Sequence, residues 1–398
     1  MTKDMNFEEV FVLSTMALRL NRSHYSIARD TKWMIQFFLI LSSSFTSLIF
    51  LLYSILFNDI KTGKIADASK NLAMVIISLT VTMKYVVLLY HQGSISELIS
   101  TINVDYDLAK DFPEEEKLIV LKYAKKGVTV SKFWIVFAFG TSAIFPTKAF
   151  GLMSYNYWKG EFALVPMFDV TYPGQIEPHK NELWVFLMLF VLCLIFGAYA
   201  ATMYVGFDPL VPIFMLHTCG QLELLSQRIS KAFVEDVNET RQNLIIIILK
   251  LQILYNLMRR VKNYFHIFYE YNMKATTFIL PLIMFQILED FRHSRLNVEF
   301  LSFFAGCTLH FYMPCYYSDV LMEKCDKFRQ ALYSSGWEKQ PDKQVRQIVL
   351  FMLTRAKIPM GISTVFYSIN LNTFAEMCRQ SYGILSLINA ACVEHKNN

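Results

Sequence analysis

The sequence predicts an all-α polytopic membrane protein with seven transmembrane helices, a cytoplasmic N-terminus and a split seventh helix. Three observations lead there. Of the 398 residues, 54% are hydrophobic and only 18% charged, a more apolar balance than soluble globular chains usually show. The apolar residues gather in blocks of about twenty, the length a helix needs to cross a hydrocarbon core roughly 30 Å thick. Lys and Arg are divided unevenly between alternate connections, as the positive-inside rule requires of an oriented chain.

The blocks fall at about 33–57, 72–90, 133–153, 183–206, 275–288 and 298–320. The seventh span is broken. An apolar helix near 345–353 is followed by Ile358-Pro359-Met360-Gly361 and then by a long helix over 362–392. Proline removes a backbone donor and glycine frees the chain, which sets the break there. The stretch 244–258, LIIIILKLQILYNLM, is short for a span and carries Lys250. It reads as a helix buried against protein outside the bilayer. With the N-terminus inside, the segments 1–32, 91–132, 207–270 and 321–346 hold twenty-four Lys and Arg, and the opposite side holds eight. The sequons at Asn21 and Asn238 then face the cytoplasm and are expected to carry no sugar.

The cytoplasmic extensions, about 91–132, 207–270 and 321–346, are too long for turns. Leu216, Leu222, Leu225 and Ile229 mark an amphipathic helix in need of a partner. Packing within one chain and packing between subunits both answer that need. Pro113 followed by Glu114-Glu115-Glu116 reads as a helix N-terminus with acidic groups favourably placed on its dipole. No repeat or linker divides the chain, so it is expected to form one domain.

Several function classes lack support. A net charge of +5 without basic-aromatic clusters gives no reason to expect nucleic acid. Seven cysteines without C-x-x-C spacing argue against a zinc site or a disulfide framework. No motif for a cofactor, metal or catalytic nucleophile stands out, and neither an enzyme nor a cofactor is expected. The first thirty residues are polar, so the first span is expected to direct insertion.

Two features could carry function. The last helix places Ser368, Asn372, Ala375, Arg379, Tyr382, Ser386 and Asn389 on one stripe by alternating steps of four and three. Such a stripe lines an aqueous pore or bonds across a helix bundle. Glu376 and Arg379, one turn apart, are placed to pair. The second feature is an aromatic and Met-rich pocket between spans two, three, four and six. Span two offers Met83, Tyr85, Val86 and Tyr90; span three Phe139, Gly140, Ile144 and Phe145. Span four offers Met188, Phe196 and Tyr199; span six Phe304, Thr308, Phe311 and Tyr312. Such a lining suits a small volatile apolar ligand held by burial and dispersion. His310 in span six is either a ligand contact or a histidine bonded between packed helices.

The segment Tyr367-Ser368-Ile369-Asn370-Leu371-Asn372-Thr373-Phe374-Ala375-Glu376-Met377-Cys378-Arg379-Gln380-Ser381-Tyr382 resembles the C-terminal signature of the insect odorant receptors, where a Thr-Phe segment leads to a Ser-Tyr pair. Length, span count and the split last span agree with that family over the whole chain. Pro209 to Gln221 is similar to the matching segment of moth receptors. The resemblance implies a tuning subunit of a ligand-gated, non-selective cation channel of four subunits, assembled with the olfactory coreceptor in the plasma membrane of olfactory neurons. The cytoplasmic helices would be the family's anchor domain, the main intersubunit contact. The split seventh span would line the pore, with an apolar gate near Leu385 and with Ile388 and Asn389 further out. Asn389 departs from the apolar pattern expected of a gate. The coreceptor's longer insertion between spans four and five is missing. A gustatory receptor lacks the C-terminal signature, and a G-protein-coupled receptor would have the opposite orientation and the D/E-R-Y and N-P-x-x-Y motifs.

Overall fold

The computed structural model describes residues 5–161, 163–292 and 297–397, with side chains to residue 390. Its elements are helices, and among the described residues the one extended pairing is an isolated antiparallel bridge, Ser363 to Ser368. In chain order they are α1 (Phe7–Val10), α2 (Val12–Leu20), α3 (Thr31–Ser54, ending in a π-turn, Ile55–Asp59), α4 (Ile65–Tyr90), α5 (Gln92–Leu108) and α6 (Glu114–Trp158). Then follow α7 (Leu183–Phe207), α8 (Leu210–Ser230), α9 (Val237–Arg292), α10 (Val298–Tyr333), α11 (Lys343–Ala356) and α12 (Leu371–Asn397).

Local chemistry sets the boundaries. Asp30 caps α3 by accepting from the Trp33 amide at 2.7 Å. α6 starts directly after Pro113 with three glutamates in its first turn. It then runs 45 residues without a break, so the expected third span is the upper part of a much longer rod. α9 likewise carries the 244–258 stretch and the expected fifth span in one helix of 56 residues. By length and apolar composition, four described helical runs suffice to cross a membrane: α3 with its π-turn, α4, α6, and α7 continuing into α8. Beside them stand α10, α12 and the upper part of α9, which carry more polar residues.

The start of the last helix differs from expectation too. α12 begins at Leu371 and not at 362. The residues between form the 363–368 bridge. Asn370 then caps the helix, its Oδ1 accepting from the Thr373 amide at 2.9 Å. Asn is a stronger start signal than the glycine upstream, and Ser368 therefore lies before the helix.

The core of the extended half is α8. Residues Pro209 to Leu222 are buried on every side, so this part is a central post wrapped by α6, α9 and α10, more enclosed than an amphipathic helix. Residues 5–30 also belong to the fold. Phe7, Phe11 and Leu18 are buried in the same core. Two glycines make room for them. A Cβ at Gly127 of α6 would lie 2.7 Å from the Phe11 ring, and one at Gly206 of α7 would lie 2.8 Å from Leu18. Asn21 is buried, and its Oδ1 accepts from the Thr202 hydroxyl at 3.0 Å. Asn21 is therefore expected to carry no glycan in any orientation. Peptide N-glycosidase should shift the wild-type chain no more than it shifts Asn21→Gln. Sugar on the exposed Asn238 would contradict a cytoplasmic placement of α8 and α9.

Ion pairs tie the extended helices together. Asp105 of α5 accepts from His217 of α8 at 2.8 Å and bonds Lys250 of α9. That accounts for a lysine within the apolar 244–258 run. Glu223 of α8 bonds Lys122 (2.7 Å) and Tyr123 (2.6 Å) of α6 and Lys324 of α10 (2.6 Å). Burial raises the Glu223 carboxyl, but these three donors outweigh it and hold it at about 2. A carboxyl depressed in the fold stabilises it above its unfolded value of 4.5, and that stability is lost as pH falls towards about 2. Thermal melts of the purified receptor should drop across this window, and Glu223→Gln should flatten part of the drop.

Candidate functional site

A chamber of about 200 Å³ lies among α3, α4, α6, α7 and α10. Its wall residues follow helical phase. α6 contributes Trp134, Phe137, Ala138, Thr141, Ser142 and Phe145; α7 contributes Leu189, Leu192, Cys193, Phe196, Gly197, Ala200, Ala201 and Tyr204. The steps of three and one keep one face inward. α10 supplies Phe303, Gly306, Cys307 and His310 in the same rhythm. Small residues alternate with aromatic ones, and the space exists because Ala138, Gly197, Ala200 and Gly306 fill none of it. There is little slack beyond it: a Cβ on Gly197 would meet the Ser142 Oγ at 3.0 Å, and one on Gly306 the Phe137 ring at 3.0 Å.

The roof is the loop before α7, through Met167, Phe168, Val170 and Tyr172. It is pinned from beneath. The Thr171 amide donates to Ser54 Oγ at 3.2 Å. Ser54 in turn bonds the buried Asp59, which also accepts from Asn58 (2.9 Å) and Asn71 (2.6 Å). Phe145 packs between Phe168 of the roof and Phe303 of α10, with ring centroids 6.3 and 5.1 Å away.

The floor is Trp134, Tyr204 and His310. Trp134 stacks on Tyr204 at 6.1 Å and meets His310 edge-on at 6.1 Å. Behind them is a buried charge cluster. Lys84 of α4, 0% exposed, donates to Asp208 at 2.8 Å, and the other Asp208 oxygen is 3.2 Å from His310 Nε2. The Lys84 ammonium also lies 3.3 Å from the centre of the Tyr204 ring. Asp208 sits where α7 passes into α8, ahead of Pro209. Thus α4, the α7–α8 junction and α10 meet in one polar knot directly under the chamber. His310 is bonded between helices, and its ring also lines the chamber.

Of the pocket residues expected from sequence, Phe145 and Phe196 line the chamber. Tyr85, Val86, Tyr90 and Tyr199 line a separate crevice against α3, beside Phe37 and Leu41. Phe139 and Met188 are exposed on the outer surface, and Gly140 faces open space. Ile144 is half-buried but outside the lining; Met83 and Phe304 pack against the core. Thr308 bonds back to the Phe304 carbonyl at 2.8 Å. Phe311 is fully buried in the core, and Tyr312 packs against Phe374 of α12 at 5.4 Å. The physical reason is phase. The expected set followed aromatic side chains, whereas the inward face is fixed by register, and a step of one residue turns a side chain by about 100°. Lys84 within the second apolar block and Asp208 just past the fourth are lone charges of the kind that pair inside a membrane bundle. Their partnership, 124 residues apart, was not legible in the sequence.

On α12, Asn372, Ala375, Arg379, Tyr382 and Ser386 are exposed along one face. Glu376 and Arg379 pair at 3.0 Å, both well exposed, so the pair adds little stability. Leu385 does not join that face. It is buried in line with Met377 and Ser381, and the Ser381 hydroxyl donates to the Thr277 carbonyl of α9 at 3.2 Å. The exposed apolar residue beside the stripe is Leu387. Ile388 and Asn389 are half-buried between the two faces.

The family model for the 7tm odorant receptors matches residues 64–382. The chain belongs to the 7tm odorant receptor family. This odorant receptor is similar to Odorant receptor 13a of Drosophila melanogaster, with 21% identity over 262 residues, 58% of this chain and 62% of that protein. It is also similar to Odorant receptor 2a of the same fly, with 27% identity over 103 residues, 26% of this chain and 25% of that protein. The matches thus span less than two thirds of either relative's length. The fold is that of the insect olfactory receptor OR5 from Machilis hrabei, with a TM-score of 0.72, 14% identity and 96% of both chains covered. The eugenol complex of OR5 gives a TM-score of 0.75 at 13% identity, covering 96% of this chain and 97% of that one. The odorant receptor is a polytopic helical membrane protein and a receptor, not an enzyme.

Proposed function

We propose that this odorant receptor is the ligand-binding, or tuning, subunit of a heteromeric, non-selective cation channel gated by a small volatile and assembled with the olfactory coreceptor. It would reside in the plasma membrane of olfactory sensory neurons, seven-spanning, with its N-terminus in the cytoplasm and its C-terminus outside. The observation that carries the reading is the apolar chamber among α3, α4, α6, α7 and α10. An apolar cavity of about 150 Å³ accepts a benzene, so a space of about 200 Å³ suits one ring with a short substituent. OR5, which shares the fold, has been seen with eugenol.

Two surfaces support assembly. Ile245, Ile246, Leu249 and Ile253 of α9 and Leu350 and Phe351 of α11 are exposed on the extended helices. Grouped apolar groups outside a bilayer mark a protein contact, here the anchor between subunits. The polar face of α12 would line the pore, with Tyr382 and Leu387 as its bulky groups. A volatile that binds the open arrangement better shifts the population towards it.

Two-electrode recording from oocytes tests this. Volatile-evoked inward current is expected only when this chain and the coreceptor are expressed together. Current from this chain alone would remove the obligate partner, and a G-protein response in place of current would overturn the channel.

A further inference from the structure

The crevice where α3, α4 and α7 meet has a volume of about 420 Å³. Buried side chains close its back: Ile40, Tyr85 and Tyr199, with Phe37 stacked on Tyr85 at 6.0 Å and Tyr199 edge-on to it at 5.9 Å. Its rim, at Val86 and Tyr90, is exposed. The lining climbs α3 from Phe37 to Ser44, about 10 Å at the rise of an α-helix. Beside it α3 turns Met34, Ile35, Phe38 and Leu39 outward, an apolar face suited to lipid. The exposed helix α12 packs instead on α9 and α10.

Arg29 stands at the mouth. Its guanidinium donates to the Leu89 carbonyl at 2.9 Å and to Gln92 Oε1 at 3.4 Å, and lies 5.7 Å from the centre of the Trp33 ring. These contacts fix the cation in place, and none of them is a carboxylate. The neighbouring acid, Asp30, is taken up by Arg22 at 3.2 Å and by capping α3. Lys32, in the first turn of α3, is a second exposed cation at this level. The other polar groups of the lining are Ser44, Thr82 and the phenols of Tyr85, Tyr90 and Tyr199, and Thr82 already donates to the Ser78 carbonyl at 2.9 Å. Trp33 and Tyr90 beside a cation at the end of an apolar helix are the residues expected at a membrane–water interface.

We propose that this crevice holds an anionic glycerophospholipid of the leaflet at the N-terminal end of α3, with one acyl chain along α3 and the headgroup phosphate on Arg29. In the proposed orientation that is the cytoplasmic leaflet, where anionic lipids lie. A tail that leaves the bilayer for the crevice gains packing but no hydrophobic energy, because its surroundings were already apolar. The headgroup therefore decides which lipid stays. One basic residue near the surface favours an anionic lipid about fivefold.

The test is native mass spectrometry of the purified receptor titrated with phosphatidylglycerol and phosphatidylcholine of identical chains. The wild-type chain should retain phosphatidylglycerol about fivefold better. Arg29→Gln should bring the ratio close to one, while Arg29→Lys, which keeps the charge, should preserve most of it. Equal melting temperatures of the three chains in phosphatidylcholine certify the fold. Leu41→Trp fills the crevice and should reduce retention of both lipids. Equal retention by the wild-type chain overturns the proposal, and so does a preference that survives Arg29→Gln. Retention untouched by Leu41→Trp would place the tail elsewhere and overturn the crevice as the site. Lipid density is expected there with or without a volatile. Displacement of the lipid by a volatile that evokes current would make the crevice the odorant site and overturn its assignment to lipid.

Discussion

Ala200→Phe silences the volatile response while leaving the receptor at the cell surface. Ala200 lies on the chamber wall, and a benzyl group there occupies much of a space of about 200 Å³. Overpacking a filled core costs about 1–3 kcal/mol, but here the new ring enters a void, so folding should be spared. The ligand and the ring cannot both fit. Sensitivity should fall more than about a hundredfold, equivalent to about 3 kcal/mol. Ala198→Phe is the control, because Ala198 is exposed on the opposite side of α7 and should respond normally. Surface biotinylation with dose-response recording separates the two. A normal response from Ala200→Phe would place the ligand elsewhere. The crevice around Tyr85 and Tyr199 would then be the next candidate.

Asp208→Ala should be the most damaging single change to stability. It leaves the Lys84 ammonium, 0% exposed, without its carboxylate 2.8 Å away. Breaking a buried pair from one side costs about 3–5 kcal/mol, whereas replacing both partners is often close to neutral. The double variant Lys84→Met, Asp208→Asn should therefore recover most of what Asp208→Ala loses, because its side-chain amide oxygen can still accept from His310. The Tyr204 ring beneath the ammonium adds a smaller stabilising contact. Melting of the purified receptor reads the difference. A loss under about 1 kcal/mol for Asp208→Ala would mean that water, not Asp208, holds Lys84. Because the knot joins α4, the α7–α8 junction and α10 directly under the ligand floor, the double variant should also be tested for response.

The parts that announced themselves in sequence depend on local chemistry. The apolar blocks, Pro113 with its three glutamates, and the break before the last helix each act within a few residues. Lys250 breaks the apolar run 244–258 in sequence, and in the structure it bonds Asp105 of α5. What was not legible depends on relations between distant segments. The chamber is defined by which face of α6, α7 and α10 turns inward, and small residues such as Gly197 and Gly306 create it where large ones drew attention. The docking of Phe11 over Gly127 and of Leu18 over Gly206 made the N-terminal segment part of the core, which its polar composition concealed. Leu385 missed the exposed face of α12 by helical phase alone, and Asn370 moved the start of that helix by capping it.

The most direct test is the density map of the assembled receptor with a volatile that activates it in oocytes. The account predicts ligand density enclosed by Trp134, Phe196, Gly306 and the roof at Phe168. Density in the Tyr85–Tyr199 crevice, or none inside the bundle while current is evoked, would contradict it.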